Sequence, residues 1–174
     1  SIFKQKLKNK FLISKVNFRL SKKNHRINTS YKALSDKLIE NGIKDPSISD
    51  VSNLVKEIRE SKLPNYNQLG NAGSFFKNPV LKKKNFEKIT NKYSSMPFYK
   101  MSENEYKLPA AWLIEKCGFK DICENQVGVY KNQSLVIINK GGATGSDIYN
   151  FSQKIKQEVK NKFDILLEEE VNII

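Results

Sequence analysis

The apolar positions of this chain recur with recognisable periods. Phe11 to Leu20 alternates in part and closes on Phe18-Arg19-Leu20, which predicts a strand. After a polar, basic connection, Tyr31, Leu34, Leu38 and Ile39 recur at helical spacing, with Gly42 placed to end that helix. Ser47-Ile48-Ser49-Asp50 has the Ser-x-x-Asp pattern of a helix start, and Val51, Leu54, Val55 and Ile58 form one apolar stripe after it. Pro64 stops this second helix soon after Lys62. Asn65 to Lys83 shows no clear period. Lys107 to Gly118 predicts a short helix, with Pro109 near its start, Trp112 and Leu113 apolar, and Gly118 as C-cap. Val127-Gly128-Val129-Tyr130 and Ser134 to Ile138 flank Lys131-Asn132-Gln133 and read as a hairpin. The loop Gly141-Gly142-Ala143-Thr144-Gly145 is a flexible connection before Ser146-Asp147, read as a helix N-cap pair, and Ile148, Phe151, Ile155 and Val159 then line one helix face. Asp164 to Ile173 predicts a final strand with acidic residues inside it. No internal repeat is present. Helices and strands are mixed, which points to an α+β fold.

Composition narrows the class. The length of 174 residues suits one domain, or one domain with a piece of another. No apolar run approaches the ~20 residues needed to cross a bilayer; the best, Leu135 to Ile138, is strand-sized. Ser1-Ile2-Phe3-Lys4 leads into lysines, without the apolar stretch or cleavage site of a secretory signal, so the expected location is cytoplasmic. The first residue is not Met, and the chain reads as part of a longer one.

The formal net charge of +13 invites a nucleic-acid or anionic-ligand reading. The excess is mostly Lys, and it is dispersed, with Lys82-Lys83-Lys84 and Lys22-Lys23 its dense spots. That distribution suits a solvated basic surface, so no nucleic-acid partner is expected. Cys117 and Cys123 match no zinc or redox spacing and are expected as reduced thiols. His25 is the single histidine, in a polar stretch, which argues against serine–histidine triads and histidine metal sites; no metal is expected.

Two segments have the residue types for chemistry. In Gly70-Asn71-Ala72-Gly73-Ser74-Phe75-Phe76-Lys77-Asn78-Pro79, two glycines bracket Asn-Ala and a Ser follows at once. By itself this is either a tight turn before a strand at Phe75-Phe76, or a loop whose backbone approaches a ligand and holds a Ser hydroxyl at it. It is not a Walker loop, because no Gly-Lys-Ser/Thr follows. Leu167-Glu168-Glu169-Glu170-Val171 puts three carboxylates in a strand-like run, where Glu is disfavoured. Alternation sets Glu168 and Glu170 on one face and Glu169 on the other. A solvated edge strand and a functional carboxylate are both open readings.

Four ordered segments carry a resemblance. They are Ser61-Lys62-Leu63-Pro64, the stretch from Gly70 to Pro79, Lys107-Leu108-Pro109-Ala110-Ala111-Trp112-Leu113-Ile114-Glu115, and Leu167-Glu168-Glu169-Glu170-Val171. Together they are similar to the motifs of UDP-N-acetylenolpyruvoylglucosamine reductases, and the likeness runs through essentially the whole chain. It implies an FAD- and NADPH-dependent oxidoreductase that reduces UDP-N-acetylglucosamine enolpyruvate to UDP-N-acetylmuramate for peptidoglycan, acting as a monomer. It implies Ser74 as the proton donor to the enolate and Glu170 as the second acid. Tyr31, Lys62, Asn78, Lys120 and Gln133 would contact the UDP-sugar, and Ile13 and Arg59 the flavin. The family's catalytic arginine and most FAD contacts would lie before Ser1. Where the family often has Pro and Arg around the last glutamate, this chain has Glu169 and Asn172.

The implied fold is a substrate-binding domain with an antiparallel sheet and helices on one face, plus terminal strands of a truncated FAD domain. The implied division is 1–28 as FAD-domain remnant, 29–62 as connecting helices, 63–163 as substrate-binding domain, and 164–174 as a returning strand with the catalytic Glu. The alternatives are a basic nucleic-acid-binding module and an inert fragment that binds UDP-sugar without turnover.

Overall fold

The computed structural model describes residues 2–4, 6–7 and 10–174. The chain falls into two compact units, Ser1–Val51 and Ser52–Ile174.

In the first unit a single 3-10 turn spans Ile2–Lys4, and helix α1 spans Lys32–Glu40. The strand expected at Phe11 to Leu20 is not there: residues 11–20 are in neither helix nor strand. Phe11, Phe18 and Leu20 are exposed, and Leu12 is 93% exposed. An alternating sequence becomes a strand only when a partner takes its hydrogen bonds and a core covers one face. Helix α1 forms as expected, burying Leu34 and Leu38 and leaving Ile39 in solvent. Its end is closed by Gly42 N–H to Ile39 O (3.0 Å) and Ile43 N–H to Leu38 O (2.9 Å), the paired bonds that satisfy the last carbonyls of a helix. Helix α2, Ile48–Lys62, starts where Ser47 predicted. The Ser47 hydroxyl accepts from Asp50 N–H (3.2 Å), and the Asp50 carboxylate accepts from Ser47 N–H (2.8 Å). The Ser47 hydroxyl also donates to Asp50 Oδ2 (2.6 Å), and this bond first, then that from Ser47 N–H, holds the Asp50 carboxyl below its ordinary value.

The second unit is α+β. Its strands are β1 (Gly70–Ser74), β2 (Val80–Lys82), β3 (Tyr99–Ser102), β4 (Glu105–Lys107), β5 (Cys123–Glu124), β6 (Val127–Val129) and β7 (Val136–Asn139). Its further helices are α3 (Lys83–Thr90), α4 (Ala110–Lys116) and α5 (Gly145–Phe163). They form two antiparallel sheets, one ordered β1-β7-β6-β5 and one ordered β2-β4-β3.

Helix α5 crosses β6 and β7, and α4 packs beside it, while α3 packs on β2 and β4. The core gathers Phe76, Leu108, Leu113, Ile114, Val129, Ile155, Val159 and Leu167. Each such side chain contributes about 1.5–3 kcal/mol by leaving water. Gly128 admits the closest approach in the larger sheet: a Cβ there would stand 2.6 Å from the Ile122 carbonyl oxygen.

Several boundaries differ from the sequence reading. The helix expected from Lys107 begins at Ala110, because Lys107 is used by β4. The hairpin is found, but its second strand is Val136–Asn139, and β5 adds a strand the pattern did not suggest. The N-cap of α5 is Thr144, not Ser146-Asp147. The Thr144 hydroxyl accepts from Asp147 N–H (3.2 Å), and Asp147 returns the bond to Thr144 N–H (2.8 Å). The strand expected over Asp164 to Ile173 is not a ladder strand: Asp164 is the left-handed C-cap of α5, at φ 57°, and the segment follows from Ile165. Its burial alternates from Ile165 onward, and one antiparallel bridge joins Glu169 to Phe76.

Candidate functional site

The stretch from Gly70 to Pro79 is not a tight turn before a strand. Its first half is the strand β1, paired to β7 as Gly70↔Asn139, Asn71↔Ile138 and Ser74↔Val136. Between Asn71 and Ser74 the register slips. Gly73 sits at φ +73°, and its N–H donates to Asn71 Oδ1 (3.1 Å). A bulge of this kind re-aims the residue that follows it, and that residue is Ser74, which is exposed. The chain then buries Phe75 and Phe76 and offers the backbone of 75–77 as a sheet edge.

The C-terminal segment takes that edge. Lys77 N–H donates to Glu168 O (2.8 Å) and Glu170 N–H to Phe75 O (2.8 Å), with Phe76 and Glu169 directly opposite. This is the non-hydrogen-bonded antiparallel pairing, in which opposed residues approach most closely. Glu170 therefore lies beside Phe75, one residue from Ser74. The expected alternation holds: Ile165 and Leu167 are buried, Glu169 is half-buried, and Glu168 and Glu170 are exposed. An ion pair joins Lys77 to Glu168 along the same edge.

The start of β7 gathers further predicted residues. Phe75 N–H donates to Leu135 O (2.7 Å), which brings the motif strand against 134–136. Gln133 precedes this point in the β6–β7 turn, and its Oε1 accepts from Leu135 N–H (3.3 Å). Asn132 Nδ2 donates to Ser61 O (3.0 Å), which ties the same turn to the end of α2 beside Lys62. The buried Ser134 hydroxyl donates to Glu115 Oε1 (2.9 Å) on α4, and Glu115 Oε2 lies 3.7 Å from Lys120 Nζ. Asn78 Oδ1 accepts from Ala110 N–H (2.8 Å) at the first turn of α4. These bonds form a network that joins the backbone segments carrying Ser74, Gln133 and Glu170 and ties Asn78 and Lys120 to α4, with Lys62 next to Ser61 at the end of α2.

Arg59 lies one turn before Lys62 on α2. Tyr31, the N-cap of α1, and Ile13, 56% exposed, belong to the first unit.

Sequence reasoning missed the residues that hold the network: Asn132, Ser134, Glu115, and the pair Lys156–Glu169. Lys156 Nζ lies 2.8 Å from Glu169 Oε1, and Gln153 Nε2 donates to the same oxygen (3.0 Å). Burial pushes the Glu169 carboxyl up. The bonds from Lys156, its own backbone N–H and Gln153 outweigh that and leave it below its ordinary value.

Both cysteines are free, and burial pushes the Cys117 thiol up, so it is less nucleophilic than an ordinary thiol. Among the described residues no group of His, Cys, Asp and Glu has the arrangement of a metal site, and no helix is long and apolar enough to cross a membrane.

Two cavities border the larger sheet. One of about 250 Å³ is lined by Gly70, Asn71, Ala72 and Phe75 of the motif strand with Ile137, Asn139 and Ile148. The other, of about 520 Å³, lies between Glu124–Val127 and the start of α5 and includes none of the predicted site residues.

Residues 64–174 match the family model of UDP-N-acetylenolpyruvoylglucosamine reductase, C-terminal domain. The UDP-N-acetylenolpyruvoylglucosamine reductase of Flavobacterium johnsoniae is 50% identical over 174 residues, 100% of this chain and 52% of the relative. Those of Amoebophilus asiaticus and Pseudomonas aeruginosa are 43% and 38% identical, over 100% and 99% of this chain and 51% and 50% of their own lengths. The chain thus spans about half the length of the curated relatives it matches. With the family's domain covering well over half of these residues, the chain belongs to the UDP-N-acetylenolpyruvoylglucosamine reductase family.

Proposed function

We propose that this chain is the substrate-binding part of an enzyme that reduces UDP-N-acetylglucosamine enolpyruvate to UDP-N-acetylmuramate in peptidoglycan synthesis, working as a cytoplasmic monomer. One observation carries the reading most directly. The Glu170 N–H to Phe75 O bond and the Phe75 N–H to Leu135 O bond bring an exposed serine, an exposed glutamate and the β6–β7 turn to one edge.

FAD reduced by NADPH would supply the hydride to the enolpyruvyl double bond. Neither Ile13 nor Arg59 lines the two cavities beside the larger sheet. We assign to them a share of the flavin contacts, and the rest to the part of the protein outside this chain, which spans about half the length of its curated relatives. We likewise assign 1–28 to the flavin-binding domain, 29–62 to connecting helices, 63–163 to substrate binding and 164–174 to the segment that presents Glu170.

The residues of this chain have distinct tasks. Hydride addition leaves an enolate, and the Ser74 hydroxyl gives its proton to the enolate carbon. A hydroxyl is a weak acid, but an enolate carbon is a strong enough base to take the proton when water is excluded. Glu170 stabilises the enolate by sharing a proton with, or hydrogen-bonding to, the substrate carboxylate, where charge builds in the transition state. Lys62 and Lys120 are point charges for the pyrophosphate. Asn78, its oxygen already committed to Ala110, presents its NH2 donors, the polarity that phosphate oxygens require. Gln133, its oxygen likewise used at Leu135, does the same, and Tyr31 is assigned a further contact to the substrate.

The test uses the full-length protein. Ser74→Ala should leave flavin reduction by NADPH near normal and slow reoxidation by the enolpyruvyl substrate by several orders of magnitude. Equal damage to both half-reactions would refute the proton-donor role.

A further inference from the structure

We propose that Lys156 is a positioning residue for the reaction: by fixing Glu169 to helix α5 it holds the C-terminal segment so that Glu170 stands beside Ser74. The inference rests on the role proposed above for Glu170. After Leu167 the segment has no fully buried side chain to anchor it; Glu169 and Val171 are half-buried, and Glu168 and Glu170 are exposed. Two backbone bonds and the exposed Lys77–Glu168 ion pair secure it to 75–77. Lys156 and Gln153 add a constraint from helix α5, both reaching Glu169 Oε1, at 2.8 Å and 3.0 Å.

This pair differs from its neighbours. Lys156 and Glu169 side chains are 17% and 19% exposed, against 37% and 63% for Lys77 and Glu168 on the same edge. Exposed pairs are screened and loosely held, whereas an enclosed, hydrogen-bonded pair has one geometry and penalises departure from it. The geometry also divides the labour. Along an extended chain Glu169 and Glu170 point to opposite faces, so the inward carboxylate anchors and the outward one is presented. Helix α5 is a suitable base, because Phe151, Ile155, Val159 and Phe163 bury its other contacts in the core. A Lys on a rigid helix can therefore fix an acid one residue away from the carboxylate it touches.

The experiment compares Lys156→Met, Lys156→Arg and Glu170→Gln in the full-length protein, measuring flavin reduction by NADPH and reoxidation by the enolpyruvyl substrate separately. Lys156→Met should slow reoxidation by roughly 10- to 100-fold, the cost of displacing a reacting group by about an ångström, and leave reduction unchanged. Lys156→Arg should restore most of the rate. A merely structural lysine would lower the folded fraction and depress both half-reactions alike, which would overturn the proposal. So would a folded Lys156→Met with normal reoxidation while Glu170→Gln is slow. Normal reoxidation in Glu170→Gln would instead remove the reading of Glu170 on which the proposal rests. If Lys156→Met does not fold, Glu169→Gln, which keeps the size of the side chain and removes its charge, carries the same expectations.

Discussion

Ser134→Ala removes one oxygen from a nearly closed site and leaves the volume around it almost unchanged. Ser134 is 1% exposed, and its hydroxyl donates to Glu115 Oε1 at 2.9 Å. A hydrogen bond to an ionised acceptor contributes about 1.5–3 kcal/mol, and the Glu115 side chain is 38% exposed, so water recovers part of the loss. The expected destabilisation is about 1–2 kcal/mol. With a urea m-value of about 2 kcal/mol/M, the midpoint falls by about 0.5–1 M.

The substitution has a second consequence. Glu115 Oε2 lies 3.7 Å from Lys120 Nζ, and releasing the other oxygen lets the carboxylate turn toward that ammonium. A tighter exposed pair gains at most about 1 kcal/mol, so Lys120 competes less well for a ligand phosphate and UDP binds up to about fivefold more weakly. Urea unfolding followed by circular dichroism and calorimetric titration with UDP read the two effects independently. An unchanged urea midpoint would refute the Ser134–Glu115 contact, and tighter UDP binding would refute the role of Lys120.

Gly128→Ala should destabilise the second unit by about 1–3 kcal/mol in the same urea assay, because its Cβ would meet the Ile122 carbonyl oxygen at 2.6 Å and Cys123 backbone at 3.1 Å. Lowering the pH should loosen the C-terminal segment. The Glu169 carboxyl is depressed in the fold, so its contribution is complete above its ordinary value of 4.5 and is lost as pH falls through the lower folded value. Amide exchange at Glu170 and Lys77 should accelerate in that acid range, and Lys156→Met should weaken the acid dependence, because the Lys156 bond is the largest of those that lower the carboxyl. Duplex DNA should bind weakly, without sequence preference and with a steep loss on adding salt, as dispersed lysines and counterion release require; selective binding at physiological salt would revive a nucleic-acid role.

The sequence carried those parts of the fold in which local pattern and tertiary packing agree. Helix α5 was legible because Phe151, Ile155 and Val159 repeat on the face that the sheet covers. Its cap was misread by two residues because Thr144, Ser146 and Asp147 are all capping residue types, and only the reciprocal bonds of Thr144 and Asp147 single out the pair. The segment Phe11 to Leu20 failed for the opposite reason. Its alternation is real, but alternation states only which faces differ, and no strand among the described residues pairs with it. The small β2-β4-β3 sheet was invisible because strands of three and four residues are too short to establish a period, and β3 is exposed at every position.

The candidate site divides along the same line. Ser74, Asn78 and Glu170 stood inside segments whose resemblance to a family named them, and there the alternation of Glu168, Glu169 and Glu170 could be derived from extended geometry alone. The bonds that tie these segments to the rest of the fold join residues distant in sequence: Asn132 to Ser61, Ser134 to Glu115, Lys156 to Glu169. Nothing in a Ser, an Asn or a Lys, taken singly, announces a partner that only folding supplies. Asn132 and Ser134 flank Gln133, yet their hydrogen bonds run to two different helices. Lys156 lies among four other lysine or glutamate residues of one helix, and what distinguishes it is enclosure against Glu169 rather than charge. A motif therefore locates the groups proposed to meet the ligand, while their placement depends on contacts whose residue types are common and whose spacing is arbitrary. Substitutions at those supporting contacts should alter the rate of one step without altering which reaction is performed.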